Sequence, residues 1–179
     1  MAAFTITVQD QAVQALLKRL AERATNMQPH LQAIGDDIVE RAKRRFETST
    51  GPDGAKWKPN TEATLGMLAG RLGKSYRKKS GDLNTKGERR IAGKKPLVGE
   101  SGDLRRQIVA VATAGQVTVQ ATTAYSAMHQ FGGTTSARSM IPGKTIPARP
   151  YLPVRDDGTL YPAESALILA AINEYLHGS

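Results

Sequence analysis

The stretch Ala124-Tyr125-Ser126-Ala127-Met128-His129-Gln130-Phe131-Gly132-Gly133 sets a serine and a histidine three residues apart, between two aromatics and a pair of glycines. A serine close to a histidine could be an activated nucleophile. Such a pair needs a third group to orient the base, and nothing around it resembles the strand-turn-helix of a G-x-S-x-G elbow. Gly99-Glu100-Ser101-Gly102-Asp103 misses that pattern at its fifth residue, Asp103. His30 and His177 lie far from His129, there is no His-x-x-x-His pair, and the chain has no cysteine, so no familiar zinc pattern can be written. Gly143-Lys144-Thr145 resembles the end of a phosphate-binding loop, but the glycine required five positions before Gly143 is replaced by Arg138. Pro142 and Pro147 bracket it, which leaves no helix N-terminus to meet a phosphate. No pair of carboxylates stands out for acid–base work. His129 therefore reads as a positioning residue whose ring is satisfied by backbone or by a neighbouring chain. No catalytic residue, metal or cofactor is expected.

The elements that would position these residues must come from a chain of 179 residues, enough for one domain with a real core. Aromatics make up only 5%, so that core has to rest on Leu, Ile, Val and Ala. No window approaches a membrane span, and Met1–Asp10 lacks the basic-then-apolar pattern of a leader, so the chain reads as soluble and unexported, with no membrane partner. The net charge is +9, and it is concentrated. Between Arg71 and Lys95 ten Lys and Arg face only Asp82 and Glu88, a net +8.

Phe4-Thr5-Ile6-Thr7-Val8 alternates as a short strand does. Asp10 can cap a helix carrying Val13, Leu16, Leu17, Leu20, Ala21 and Ala24 on one stripe. A second helix is predicted from Pro29 to about Thr48, with Leu31, Ile34, Ile38, Val39, Ala42 and Phe46 inward and Asp36, Asp37, Glu40, Arg41, Lys43, Arg44 and Arg45 on a solvated face. Thr50–Gly54 is a turn, with Trp57 just after it. The basic stretch, about 70–96, has five glycines and few large apolar residues, which predicts a flexible loop or arm. Beyond Gly102, Ile108–Thr113 and Val117–Thr122 flank Ala114-Gly115-Gln116 as a hairpin. Ile146–Val154, with three prolines, can only be extended or a sheet edge, and a last helix runs from about Pro162 to Tyr175. The sum is a single α+β domain over 1–179: two N-terminal helices packed on an antiparallel sheet, a long basic loop and a C-terminal helix.

Four blocks, in order, together resemble a known family. They are Phe46 with Gly51–Trp57 and Thr61; Ser101-Gly102-Asp103-Leu104-Arg105; Tyr125–Gly133; and Ile146-Pro147-Ala148-Arg149-Pro150-Tyr151-Leu152. The chain is similar in them to the virion morphogenesis proteins of tailed phages, the group of the tail completion protein S of P2-like phages and the Mu-like G protein. Ser101 stands where that family usually has threonine, and the charged insertion before it is long. The resemblance implies a non-enzymatic structural protein of the virion, made in the host cytoplasm. It implies a homo-oligomeric ring, a hexamer among the candidates, at the head-tail junction or tail end beside neighbouring neck and tail proteins.

Glycines at 132 and 133 and a proline-stiffened edge at 146–150 suit a fixed backbone meeting another chain. Tyr125, His129, Phe131, Arg149 and Tyr151 are accordingly the expected interface residues, with the Arg149 fork presented outward by its stiff backbone. Arg77, Lys78, Lys79, Arg89 and Arg90 are the expected channel- or partner-facing cations, able to meet DNA phosphates without reading sequence. A basic nucleic-acid-binding protein and a head-completion adaptor or stopper ring are the alternatives.

Overall fold

The computed structural model describes residues 11–139 and 142–177. The predicted strand at Phe4–Val8 and the cap at Asp10 lie outside the described residues.

The α+β reading holds. Helix α1 (Gln11–Thr25) is followed by α2 (Gln28–Thr48), which carries a proline in its first turn and stops where Ser49 turns left-handed at φ 55°. Leu31, Ile34, Ile38, Val39, Ala42 and Phe46 are buried along α2, as their spacing predicts. They face a hairpin of β1 (Ile108–Ala112) and β2 (Val117–Ala121), paired antiparallel with Ala110 opposite Val119. Gly35 lets the two surfaces close. A Cβ there would stand 2.6 Å from Val117 Cγ2 and 2.8 Å from Ala110 Cβ, so any side chain would push the hairpin off the helix. Gln32 also crosses to the hairpin, donating to the Ala110 carbonyl at 3.3 Å and accepting from the Ala112 amide at 3.0 Å, while Gln28 donates to the Ala112 carbonyl at 3.2 Å. Two glutamines thus occupy the outer edge of β1 and stop a further strand from adding there.

Of the two N-terminal helices, α2 lies on the sheet and α1 meets α7 (Pro162–His177). No side chain of α1 is buried, and Val13, Leu16 and Leu17 are exposed. Its C-terminal end is tied down by polar bonds. Arg23 Nη1 donates to the carbonyls of Tyr175 and Leu176 at 2.8 and 3.1 Å, and the Tyr175 hydroxyl donates to the Asn26 carbonyl at 3.1 Å.

The few aromatics are pooled rather than spread. Phe46 meets Trp57 edge-on at 5.5 Å and Tyr151 at 5.3 Å, and Val39, Ala42, Leu104 and Ile108 complete this core. The Gly51–Gly54 turn delivers Trp57, whose indole N–H donates to the Pro150 carbonyl at 2.9 Å. The Ile146–Val154 stretch is extended as its prolines require. Its first residue pairs in a small sheet of β3 (Gly133–Thr134) and β4 (Thr145–Ile146), and the rest forms a strap across the core. Gly132, at φ 74°, passes so close to this strap that a Cβ would lie 2.7 Å from the Ala148 amide nitrogen.

Two expectations are corrected. Arg45, assigned to a solvated face, is buried, because its guanidinium bonds the buried Glu164 and donates to the Tyr151 carbonyl at 2.7 Å. The basic stretch, expected as a loop without order of its own over about 70–96, instead follows α3 (Glu62–Arg71) with a 3-10 turn at Lys74–Tyr76 and α4 (Thr85–Ala92). Local bonds replace the missing apolar core. Thr61 and Asn84 cap the two helices by accepting from Thr64 and Gly87 amides, and Arg77 donates to the carbonyls of Ala69, Leu72 and Gly81 at 2.7, 3.3 and 2.8 Å. Among the described residues no helix is long and apolar enough to cross a membrane.

Candidate functional site

The short helix α6 (Ser126–Phe131) carries the residues singled out in the sequence. Ser126 and His129 do not act on each other: the Ser126 hydroxyl donates to the Ala121 carbonyl at 3.2 Å. His129 is half-buried, edge-on to Tyr125 at 5.7 Å, and its carbonyl accepts the Arg149 amide at 2.8 Å. Burial, and then the nearby Arg149 charge, hold its pKa below the ordinary value. The imidazole is neutral near pH 7, and its Nδ1 is buried with no hydrogen-bond partner among the described residues.

The five expected interface residues divide. Tyr125 and Phe131 stand on the surface, 47% and 46% exposed. Arg149 and Tyr151 stand inside, 6% and 0% exposed. The Arg149 fork does not point outward. Its Nε and Nη2 donate to the carbonyls of Lys58 and Pro59, both at 2.8 Å, and so lock the chain after Trp57 to the strap. The Tyr151 hydroxyl donates to the Ser126 carbonyl at 3.2 Å, and burial pushes this phenol up to about 12. These two residues and His129 hold the backbone behind an exposed aromatic pair.

Gln130, which the sequence reading passed over, does the same work from inside. Its Oε1 accepts the amides of Tyr151 and Leu152, both at 2.9 Å, and its Nε2 donates to the carbonyls of Leu152 and Val154. A buried side-chain amide thereby serves the strap as a neighbouring strand would. No local signal marks it, since its partners lie 21 to 24 residues on. Glu164 was missed for the same reason. Its two carboxylate oxygens are taken by Arg45 and Arg41, and Arg41 also pairs with Asp37. Burial lowers the Arg45 pKa against the opposing pull of Glu164. A carboxylate clamped by two guanidiniums is suited to hold helices together.

Two surface features have chemistry left over. A cavity of about 690 Å³ opens beside the C-terminal end of α2 and the short helix α5 (Asp103–Arg106). Phe46, Leu97 and Val98 supply its apolar wall, and Lys43, Lys95, Arg105 and Arg106 stand against the single acid Glu47 on its rim. Arg105 pairs with Glu47 at 2.6 Å and Arg106 with Asp103 at 2.9 Å, all of them well exposed. The second feature is the turn Arg155–Leu160. Asp157 accepts from the Thr159 amide and hydroxyl at 2.8 and 2.6 Å, bonds that hold its pKa below the usual carboxylate value, and Gly158 takes φ 82°. Asp156 and Asp157 are exposed, and Leu160 beside them is 39% exposed.

In the arm, Lys78, Lys79, Arg89 and Arg90 are exposed, whereas Arg77 is half-buried and engaged with backbone. The expectation that all five face a partner is corrected for Arg77, whose donors are already used. Lys86 covers the Tyr76 ring at 4.9 Å. Among the described residues no group of three or more His, Cys, Asp and Glu is placed to hold a metal ion.

No curated protein and no solved structure matches the chain. Residues 8–176, nearly its whole length, match the phage virion morphogenesis family. The chain belongs to that family, whose members are structural rather than enzymatic proteins of the phage particle.

Proposed function

We propose that this protein forms an oligomeric ring at the head-tail junction or tail end of the virion, where it completes or terminates the tail and allows head and tail to join. One observation carries the reading. The buried ionisable groups are consumed in holding the fold, while large apolar side chains are exposed on several elements: Val13, Leu16 and Leu17 on α1, Val109 and Val111 on the hairpin, Tyr125 and Phe131 at the two ends of α6, Leu167 and Leu169 on α7. Apolar side chains exposed on several elements of a small domain fit a subunit that meets copies or neighbours on more than one side. The exposed aromatic pair, backed by a rigid backbone, is suited to anchor such a contact.

The exposed cations of the arm favour a second contact. In a ring around a channel, Lys78, Lys79, Arg89 and Arg90 would meet DNA phosphates without reading sequence, or acidic surfaces of the neighbouring neck and tail proteins.

The test is a phage whose copy of this gene carries an early stop codon, with particles counted by electron microscopy. The reading expects DNA-filled heads and separate or malformed tails, with joining restored by the protein supplied in trans. Tails that look complete beside heads that have lost their DNA would favour a head-completion adaptor or stopper instead. Wild-type numbers of infectious particles would overturn both.

A further inference from the structure

The cation-rimmed cavity and the acidic turn lie on opposite sides of α2. Arg41 and Arg45 hold Glu164, three residues beyond Tyr161 at the foot of the turn. Lys43 and Glu47, two positions further along the helix, line the cavity. Two residues are roughly 200° of rotation on an α-helix, so the two features face away from each other. They are also complementary. The rim carries four cations against one acid, and the turn offers two aspartates against Arg155, which lies over the Tyr161 ring at 5.2 Å, with an exposed leucine beside them.

From this we infer that the cavity of one copy receives the Asp156–Leu160 turn of the next. Leu160 meets the wall of Phe46, Leu97 and Val98, and the aspartates lie against Lys95, Arg105 and Arg106. The inference rests on the ring reading and names its subunit contact. Charge favours this occupant over α1 and the arm. Helix α1 offers an apolar stripe, but with Lys18, Arg19 and Arg23 on it, and the arm is more basic still, so both are repelled by the rim. The turn is ordered in advance by the Asp157–Thr159 bonds and by the Arg155 amide on the Thr159 carbonyl at 2.8 Å, so little ordering is needed on binding. The rim pairs that must open are exposed and weak. A socket and a plug on opposite sides of one chain make a head-to-tail contact, which closes into a ring when the rotation between copies allows.

Native mass spectrometry of the full chain tests this with two variants. One reverses the socket (Arg105→Glu with Arg106→Glu) and one the plug (Asp156→Lys with Leu160→Lys); all four positions are exposed, and unchanged thermal melting serves as the folding control. Wild type is expected as a closed oligomer and each variant alone as a monomer. Their equimolar mixture is expected to reassociate, because each mixed pair has one intact socket on one intact plug, and the reversed socket and reversed plug left over carry opposite charges. Variants that assemble as wild type does would overturn the contact and leave the ring reading standing. A mixture that stays monomeric would overturn it too. A wild-type chain that is monomeric at every concentration would overturn both.

Discussion

Arg41, Arg45 and Arg149 in the body end on a carboxylate or on backbone carbonyls, whereas Lys78, Lys79, Arg89 and Arg90 in the 62–93 arm end in water. The body is organised around a shared aromatic core, and its cations close gaps between distant segments. The arm has no such core, and its helices are held by caps and by Arg77. Charge that the fold needs is buried and bonded, whereas Lys78, Lys79, Arg89 and Arg90 leave theirs on the surface.

The largest effect should come from removing a buried cation. Arg45→Ala leaves Glu164 with one guanidinium fewer in a site excluded from water, and a loss of about 3–5 kcal/mol is expected in urea unfolding. Arg89→Ala, on the arm surface, should stay within about 0.5 kcal/mol of wild type. Equal stabilities for these two variants would erase the contrast between body and arm.

Next comes Arg149→Ala, which strips the donors from the Lys58 and Pro59 carbonyls at a cost of about 1–3 kcal/mol. Thermal melting checks it, and an unchanged midpoint would return Arg149 to the surface role read from the sequence.

A smaller, local effect sharpens the comparison. In Gly87→Ala the new Cβ would stand 2.5 Å from the Tyr76 carbonyl oxygen, so α4 must part from the 3-10 turn. Hydrogen exchange should quicken in the arm while the amides of α2 and the hairpin keep their protection. Quickened exchange throughout would show the arm and body to be one cooperative unit. Arg77→Ser should act in the same local way, whereas serine at the exposed Arg89 and Arg90 should leave the exchange of the arm unchanged.

The smallest effect is a pH slope. The His129 pKa is lower in the folded chain than its ordinary 6.5, so below that pH the unfolded chain takes up the proton first. This contribution to stability is complete above about pH 6.5 and is lost as the pH falls toward the folded value. The midpoint of wild type should therefore drop more between pH 7 and pH 5 than that of His129→Gln, and parallel curves would contradict the burial of the ring.

What the sequence made legible follows from the range of the forces involved. The α2 stripe from Leu31 to Phe46, the hairpin around Gly115 and the helix from Pro162 all carry a period that one segment displays by itself. The arm was misread because its order comes from single side chains on nearby carbonyls and amides, Asn84 on Gly87 and Arg77 on Ala69, which composition does not register. Among the site residues, exposure could not be read from residue type. Tyr125 and Tyr151 are both tyrosines beside glycine- or proline-rich stretches, yet one faces solvent and the other lies in the core against Phe46. Gln130 and Glu164 were invisible because their partners are brought in from as far as 123 residues away.

The central claim, that this chain is a ring-forming component of the particle, meets its most direct test in cryo-electron microscopy of virions carrying a gold-labelled tag on the protein. The account predicts label confined to one axial position, at the head-tail junction or tail end, in every complete particle. Label absent from purified particles, or scattered along head and tail, would contradict it.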